Sequence, residues 1–187
     1  MSKKAISTIG LIVLTVLSTS IAWMPSAHYE VSDGYAIDFK SKDPSGSFKT
    51  MDGSVEFDEA NIDATQFNLK IDVKSISTGN GMMNKKSQTA EWFDAVKYPF
   101  AKFKSTKVVK KGTELSIVGD LTIKGVTKAV TLTVTGFQAM PHPMMKKPAL
   151  GANAFTTIKR TEFNAGKYAP YVGDEVRIDI AIEAVAQ

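Results

Sequence analysis

Long stretches of this chain alternate apolar and polar residues with a period of two. In the clearest stretch, Phe67, Leu69, Ile71 and Val73 alternate with polar or charged residues. Such alternation gives an antiparallel strand one dry face and one wet face. The pattern returns in three further runs, which are Leu115, Ile117, Leu121 and Ile123 with Gly119 in phase, Val130, Leu132 and Val134, and Val176, Ile178, Ile180 and Ile182. The chain is therefore predicted to be all-β.

Shorter apolar runs and Gly- or Pro-containing turns bring the prediction to about eight strands. Residues 84–93 differ and are predicted to form one short helix. One dry face per strand fits either a sandwich or a closed barrel, and the pattern does not separate the two. The interior of a small barrel is either filled by side chains or holds one small ligand. Gly119 adds no volume, so a packed core and a partly empty interior both stay open.

Composition excludes several classes of protein. The 187 residues include no cysteine, which excludes disulfide scaffolds, thiol catalysis and Cys-ligated metal sites. A length of 187 residues suits one domain. The formal net charge of +4 includes no long basic run, so no nucleic-acid partner is expected.

The amino-terminal residues resemble a secretory signal peptide. Lys3 and Lys4 precede an uncharged apolar stretch over residues 5–23, and small residues suitable for cleavage follow. The stretch is also long enough for an uncleaved membrane anchor, which is the alternative. We predict a signal peptide over residues 1–27 and one domain over residues 28–187. Its removal takes away two lysines and lowers the net charge from +4 to +2. An exported domain without disulfides favours the bacterial periplasm.

No motif in the sequence indicates catalysis. The chain lacks G-x-S-x-G, H-E-x-x-H, P-loop and G-x-G-x-x-G motifs, and His28 and His142 show no triad spacing. We therefore expect a non-enzymatic protein without catalytic residues.

A Met- and His-containing segment offers a competing function. Met140, His142, Met144 and Met145 carry thioether and imidazole groups, which Cu(I) accepts as ligands. A periplasmic copper-binding or stress-response module is the alternative function on this ground. The same residues also suit a loop over an apolar lumen, or a stiff connection between strands without a specific role.

Many short motifs in the chain resemble one known family. The most specific is the run GDLTIKGVTK at residues 119–128. Others in the same order are Gly46-x-Phe48, Gly53 with Phe57-Asp58, Ser75-Ile76-x-Thr78, Phe93-Asp94 with Lys97-Tyr98-Pro99, Phe103-x-Ser105-Thr106 and Val172-Gly173-Asp174-x-Val176. Over residues 29–184 the chain resembles the YceI-like family of exported lipid-binding proteins. The resemblance implies an extended, eight-stranded, lipocalin-like antiparallel barrel whose lumen holds an isoprenoid lipid, often in a dimer.

The alternation and the resemblance together predict the residues that line the lumen. An apolar chain is expected to contact the dry faces of the strands. These residues are Phe67, Leu69, Ile71, Val73, Phe103, Leu115, Ile117, Leu121, Ile123, Phe155, Val176, Ile178 and Ile180. The expected ligand is a polyprenyl phosphate or a quinone, with no other cofactor. Such a lipid leaves a membrane, where its chain is already out of water, so transient membrane contact and reversible loading are expected.

The polar end of the ligand is predicted less directly. Family members commonly carry His residues in the first strands, and residues 34–42 of this chain contain none. Lys85, Lys86 and Arg160 are the candidates for charge-assisted hydrogen bonds to a phosphate or quinone oxygen. Alternatively, the two lysines form a solvated helix face and Arg160 pairs with Glu162 or a neighbouring strand.

Overall fold

An antiparallel sheet closes on itself to form a barrel. The computed structural model describes residues 27–112 and 114–187. In these residues the strands are β1 (Ala27–Val31), β2 (Ala36–Lys40), β3 (Gly46–Phe48), β4 (Met51–Phe57), β5 (Gln66–Asp72), β6 (Ile76–Ser77), β7 (Phe100–Lys111), β8 (Glu114–Ile123), β9 (Val126–Pro141), β10 (Pro148–Lys159) and β11 (Glu175–Ala186). Eight of them follow the ring order β1, β4, β5, β7, β8, β9, β10, β11, and β11 pairs with β1. The structure thus confirms the eight-stranded barrel and excludes the sandwich.

The remaining three strands extend the first part of the barrel. Along β11, Arg177–Ala181 pair with β2 and Ala184–Ala186 pair with β1, so β1 and β2 are two halves of one interrupted strand. In the same way β3 precedes β4 and β6 follows β5. The alternation did not reveal β3 and β6, because strands of three and two residues are too short to show a period.

Side chains satisfy backbone groups where these strands are interrupted. The Ser75 hydroxyl accepts hydrogen bonds from the backbone N–H groups of Lys49 and Thr50, both at 3.0 Å. The Tyr35 hydroxyl accepts from the N–H of Met51 at 3.0 Å and donates to the carbonyl of Lys49 at 3.1 Å. Backbone groups are strong donors and acceptors, and these side chains serve as partners where the ladder stops. The interruptions are therefore built into the sequence.

The helix lies earlier than predicted. Helix α1 spans Gly81–Ser87, whereas the sequence predicted residues 84–93. The Asn80 side chain accepts from the N–H groups of Met82 and Met83 and so begins the helix. After Ser87 the chain turns, and the N–H of Phe93 donates to the Ser87 carbonyl at 3.1 Å. Further short helical turns occur at Ile62–Ala64, Val73–Ser75 and Arg160–Phe163.

The predicted signal peptide lies outside the described residues except for its last one. β1 begins at Ala27, which pairs with Phe57 of β4. Within the described residues, no helix has both the length and the apolar character that a membrane crossing requires.

One end of the barrel is filled by side chains. Tyr29, Val55 and Val108 are at most 1% exposed. The Tyr29 ring meets Phe57 edge to face at 6.2 Å, and Phe57 lies 5.5 Å from Phe137. We call this the packed end.

Gly119 marks the boundary between the packed end and the rest of the interior. A side-chain carbon added at Gly119 would lie 2.5 Å from the Phe103 ring and 2.6 Å from the Lys104 carbonyl oxygen. The space that this glycine leaves is therefore occupied by Phe103, and it does not enlarge a void. Glycine is needed because the ring crosses directly over its backbone.

We expect Gly119→Val to destabilise the barrel by about 1–3 kcal/mol, because the added carbons force Phe103 from its position. Urea unfolding followed by circular dichroism measures the change. Gly151→Val on β10 is the control, since no heavy atom lies within 4 Å of its added carbon. Equal stability of the two variants would contradict the packing of Phe103 on Gly119.

Candidate ligand-binding lumen

A largely apolar cavity occupies the interior beyond the packed end. Its volume is about 140 Å³, counted at positions that the centre of a water molecule can occupy. One water needs about 10–15 Å³ in that measure, so the cavity is on the order of ten waters in size. Strands from the whole ring contribute to its wall, and Trp92, Phe93 and Phe163 lie across the end near α1. We call this cavity the lumen.

Most residues that the alternation predicted for the lumen are in its wall. These are Leu69, Ile71, Phe103, Leu121, Ile123, Val176, Ile178 and Ile180. They lie on the inner faces of β5, β7, β8 and β11. The structure thus brings them together around one space, and their contact with a ligand remains a prediction.

Four of the predicted residues do not line the lumen. Three of them lie in or against the packed core, and one lies in the turn after β5. Phe67 and Ile117 are 6% and 3% exposed and belong to the packed core, and Leu115 packs against it. Val73 is buried in the helical turn that follows β5. Alternation specifies the face of a strand but not the level along the barrel axis. It therefore cannot separate a lumen residue from a residue of the packed end.

Phe155 was assigned to the wrong face. On β10 the inner positions are Ala152, Thr156 and Ile158, and Phe155 lies between them on the outer face. The Arg177 guanidinium covers its ring at 3.8 Å from the centroid. The small inward residues of β10 carry a weak hydrophobic signal, and the large Phe155 side chain suggested the opposite phase.

Other wall residues were not assigned from the sequence. Val130 and Leu132 stood in an alternating run, so their inward position could have been inferred. Ile37, Phe39, Phe48 and Met51 belong to short strands. Trp92, Phe93 and Phe163 lie in turns, where no period exists to indicate burial.

Arg160 is the one charged side chain among the described residues that line the lumen. Its guanidinium donates to the carbonyls of Gly173 at 2.7 Å, Ala165 at 2.6 Å and Val172 at 3.0 Å. Burial lowers the pKa of Arg160, and the nearby Asp174 carboxylate opposes that shift. The group stays charged in proteins, and it has more N–H donors than these three carbonyls use. Arg160 thus holds the 164–173 loop, and some of its N–H groups are not used by these three hydrogen bonds.

Trp92 supplies a second donor beside Arg160. The Trp92 ring centroid lies 5.3 Å from the guanidinium carbon of Arg160. Its indole N–H is buried and has no hydrogen-bond partner among the described residues. A buried unpaired N–H is costly, because it has lost its hydrogen bonds to water. Two side chains that carry N–H donors thus lie next to each other in a largely apolar wall, and the sequence did not indicate Trp92.

Lys85 and Lys86 lie outside the lumen wall. Both are exposed residues of α1, and the Lys86 ammonium lies 5.3 Å from the Tyr168 ring centroid. This placement agrees with a solvated helix face, which was the alternative interpretation. Arg160 is the candidate that reaches the wall, and Glu162 is not among the hydrogen-bond partners described for it.

Of the Met- and His-containing segment, Met140 is in β9, and His142, Met144 and Met145 are in the connection between β9 and β10. The His142 Nδ1 accepts hydrogen bonds from the N–H groups of Met144 at 3.2 Å and Met145 at 3.0 Å. Its Nε2 lies 2.9 Å from a Glu183 carboxylate oxygen. Both ring nitrogens therefore organise the loop, while the side chains of Met140, Met144 and Met145 are largely exposed. The copper site stays a prediction, and the described His, Asp and Glu residues form no cluster suited to a metal ion.

Comparison with known proteins agrees with this fold. Residues 25–184 match the sequence model of the YceI-like domain. The protein YceI of Salmonella arizonae is 38% identical over 142 residues, which cover 76% of this chain and 74% of that relative.

Solved structures resemble the barrel as well. BcnA of Burkholderia cenocepacia has a TM-score of 0.71 at 31% identity, covering 81% of this chain and 96% of BcnA. A polyisoprenoid binding domain from Saccharophagus degradans, implicated in plant cell wall breakdown, has a TM-score of 0.62. It is 14% identical and covers 86% of this chain and 99% of its own, a likeness that shows the fold alone. The family predicted from the short motifs is confirmed: the chain belongs to the YceI-like family.

Proposed function

We propose that this protein binds an isoprenoid lipid in its lumen and acts as a non-enzymatic carrier or reservoir. The observation that carries the proposal is an interior cavity whose wall is almost entirely aliphatic and aromatic. Its polar wall residues are Ser41, Ser87, Thr156 and Arg160. A cavity of this kind suits a hydrocarbon chain with one polar end. The description of the structurally similar domain from Saccharophagus degradans as polyisoprenoid binding supports the same class of ligand.

The energetics suit reversible loading. Burial of each CH₂ from water is worth about 0.8 kcal/mol, so a long chain rarely dissociates into water. Transfer between a membrane and the lumen moves the chain between two apolar surroundings, and the net change is small. A carrier of this kind exchanges lipid at a membrane, so transient membrane contact is part of the proposal.

The polar end of the ligand lies at Arg160 and Trp92 in this proposal. Both side chains offer N–H donors, so they suit an oxygen acceptor. A phosphate or a quinone carbonyl provides one. A charged acceptor gains most, because hydrogen bonds to ionised groups are stronger than neutral ones.

We propose that the protein is periplasmic after cleavage of a signal peptide. We also propose that it forms a homodimer, which is what the resemblance to the YceI-like family implies. The charged residues Lys3 and Lys4, followed by an uncharged apolar stretch, support export. The absence of cysteine agrees with a barrel that needs no disulfide in an oxidising compartment.

Organic-solvent extraction of protein purified from a bacterial periplasm is expected to release an isoprenoid that mass spectrometry identifies. Ala101→Phe should reduce the amount retained about tenfold, because Ala101 lines the lumen and the added ring occupies its volume. Stability should hold, since the ring fills existing space.

Ala36→Phe is the matched control, because Ala36 lies on the exposed face of β2. It should retain as much lipid as the unchanged protein. A folded protein that carries no lipid and binds neither farnesyl phosphate nor a short-tailed ubiquinone would reject the proposed function.

Trp92→Phe should weaken binding of farnesyl phosphate by roughly tenfold, the factor that about 1.4 kcal/mol produces. A hydrogen bond to a charged group is worth about 1.5–3 kcal/mol. Phenylalanine keeps an aromatic ring beside Arg160 and removes the donor together with part of the indole volume, which the control ligand below separates from the donor. Isothermal titration against farnesyl phosphate measures the effect.

Farnesene, the same chain without a phosphate, is the control ligand for this variant. Its affinity should not change, because it has no acceptor for the indole N–H. An equal loss for both ligands would show that Trp92 acts through packing.

A further inference from the structure

The barrel ladder is incomplete between β9 and β10. β9 pairs with β8 from Val126 to Val134, and β10 pairs with β11 as far as Lys159. The two strands pair with each other only as far as Thr133 and Phe155. Beyond that point residues 126–132 of β9 and 156–159 of β10 flank a gap. We call this gap the seam.

The pairing stops after an irregularity in the two strands. The register between β9 and β10 shifts between Asn153 and Ala154, and the paired residues end two positions later. Extra residues of this kind bend a strand and increase its twist. Beyond this point β9 and β10 form no ladder pairs toward the end of the barrel that contains the lumen.

At the seam only a thin wall separates the lumen from the outer surface. An outer groove of about 480 Å³, counted as for the lumen, follows it between the two strands. Val130, Thr156, Ile158 and Phe163 line both this groove and the lumen. The wall at the seam is therefore one side chain thick.

The chemistry of the seam suits passage of an apolar chain. Its outer lining includes Ala129, Thr131, Thr157 and Phe155, which are uncharged. Charged residues stand around them, namely Lys128, Lys159, Glu162 and Glu175. A hydrocarbon chain that crosses here meets small or apolar side chains and desolvates no charge at the centre of the opening.

A second gap in the barrel wall, between β6 and β7, is covered by other parts of the chain. In the described residues β6 pairs with β3 and has no second ladder partner, so the ladder is also incomplete between β6 and β7. There, α1 packs against β6, and the turns after it are held by backbone hydrogen bonds such as Ala95 N–H to the Gln88 carbonyl at 2.9 Å. The Phe93 ring also meets Phe48 edge to face at 6.1 Å. Moving that segment away breaks the hydrogen bond from the Gln88 side chain to the Lys74 carbonyl at 3.3 Å and the contact between Phe93 and Phe48. Widening the seam breaks no ladder hydrogen bond, and it breaks one side-chain bond at the end of the seam, from Lys124 Nζ to the Asn164 carbonyl at 2.9 Å.

We propose that the seam is the route by which the lipid chain enters and leaves the lumen. This proposal rests on the proposed function, since it concerns the passage of the same ligand. The end near α1 stays closed during exchange, and the chain slides sideways between β9 and β10.

The test places one bulky group at the seam. The chain contains no cysteine, so a single introduced cysteine is labelled selectively. Thr131→Cys lies on the exposed face of β9 at the seam, and Gln138→Cys lies on the exposed face of the same strand where β9 pairs with Gly151 of β10. Each full-length variant is labelled with a polyethylene-glycol maleimide. Stopped-flow tryptophan fluorescence then follows exchange of farnesyl phosphate, since Trp92 lines the lumen.

The label at position 131 is expected to slow association and dissociation alike, by about tenfold or more, and the label at 138 to change neither. A barrier on the route alters both rates equally and leaves Kd unchanged. Unchanged rates at 131, equal slowing by both labels, or a weaker Kd at unchanged association rate would each overturn the proposal. Thr157→Cys on β10 replaces Thr131→Cys if the latter does not fold.

These outcomes are separate from failure of the proposed function. If the unlabelled protein binds neither farnesyl phosphate nor a short-tailed ubiquinone, the proposed function fails. Normal binding with rates that the label at 131 does not change rejects the seam alone.

Discussion

Pairing of β11 with both β1 and β2 is the interaction on which the rest of the structure depends. This one strand joins the last part of the chain to the first, and it does so at both levels of the barrel. Without it the sheet would have two open edges and no interior. Closure gives every strand an inside and an outside, and the alternating residues then decide what each side contains.

The interior is divided by a few large side chains. Tyr29, Phe57 and Phe137 fill one end, and Phe103 packs over Gly119 at the boundary. The remaining space is lined by aliphatic residues with Arg160 and Trp92 on one side. A cation held by three backbone carbonyls is stable there without an acidic partner in direct contact. The polar group therefore remains oriented while the lumen around it stays apolar.

Sequence reasoning predicted the strands well and the lumen in part. Long runs such as Phe67, Leu69 and Ile71 show their period plainly, and the short motifs specified the family and its barrel. The depth of a residue along the barrel axis was not predictable. Ile117 and Leu121 are on the same face of β8, yet they lie at different depths in the barrel. Trp92 and Phe163 close the lumen from turns, where only tertiary structure determines burial. The predicted face of Phe155 was wrong, because its large apolar side chain suggested an inward position. The small residues that do point inward gave only a weak hydrophobic signal.

The interrupted strands have a mechanical consequence. At the packed end all eight strands are bonded around the ring. At the other end the ladder divides into two shells, one with β6, β3, β2, β11 and β10 and one with β9, β8, β7, β5 and β4. Two shells joined at one end are able to move apart at the other end while the strands of the packed end stay paired. Under the proposed function, the width of the lipid chain that the lumen accepts depends on how far the shells separate, and the packed end does not have to rearrange.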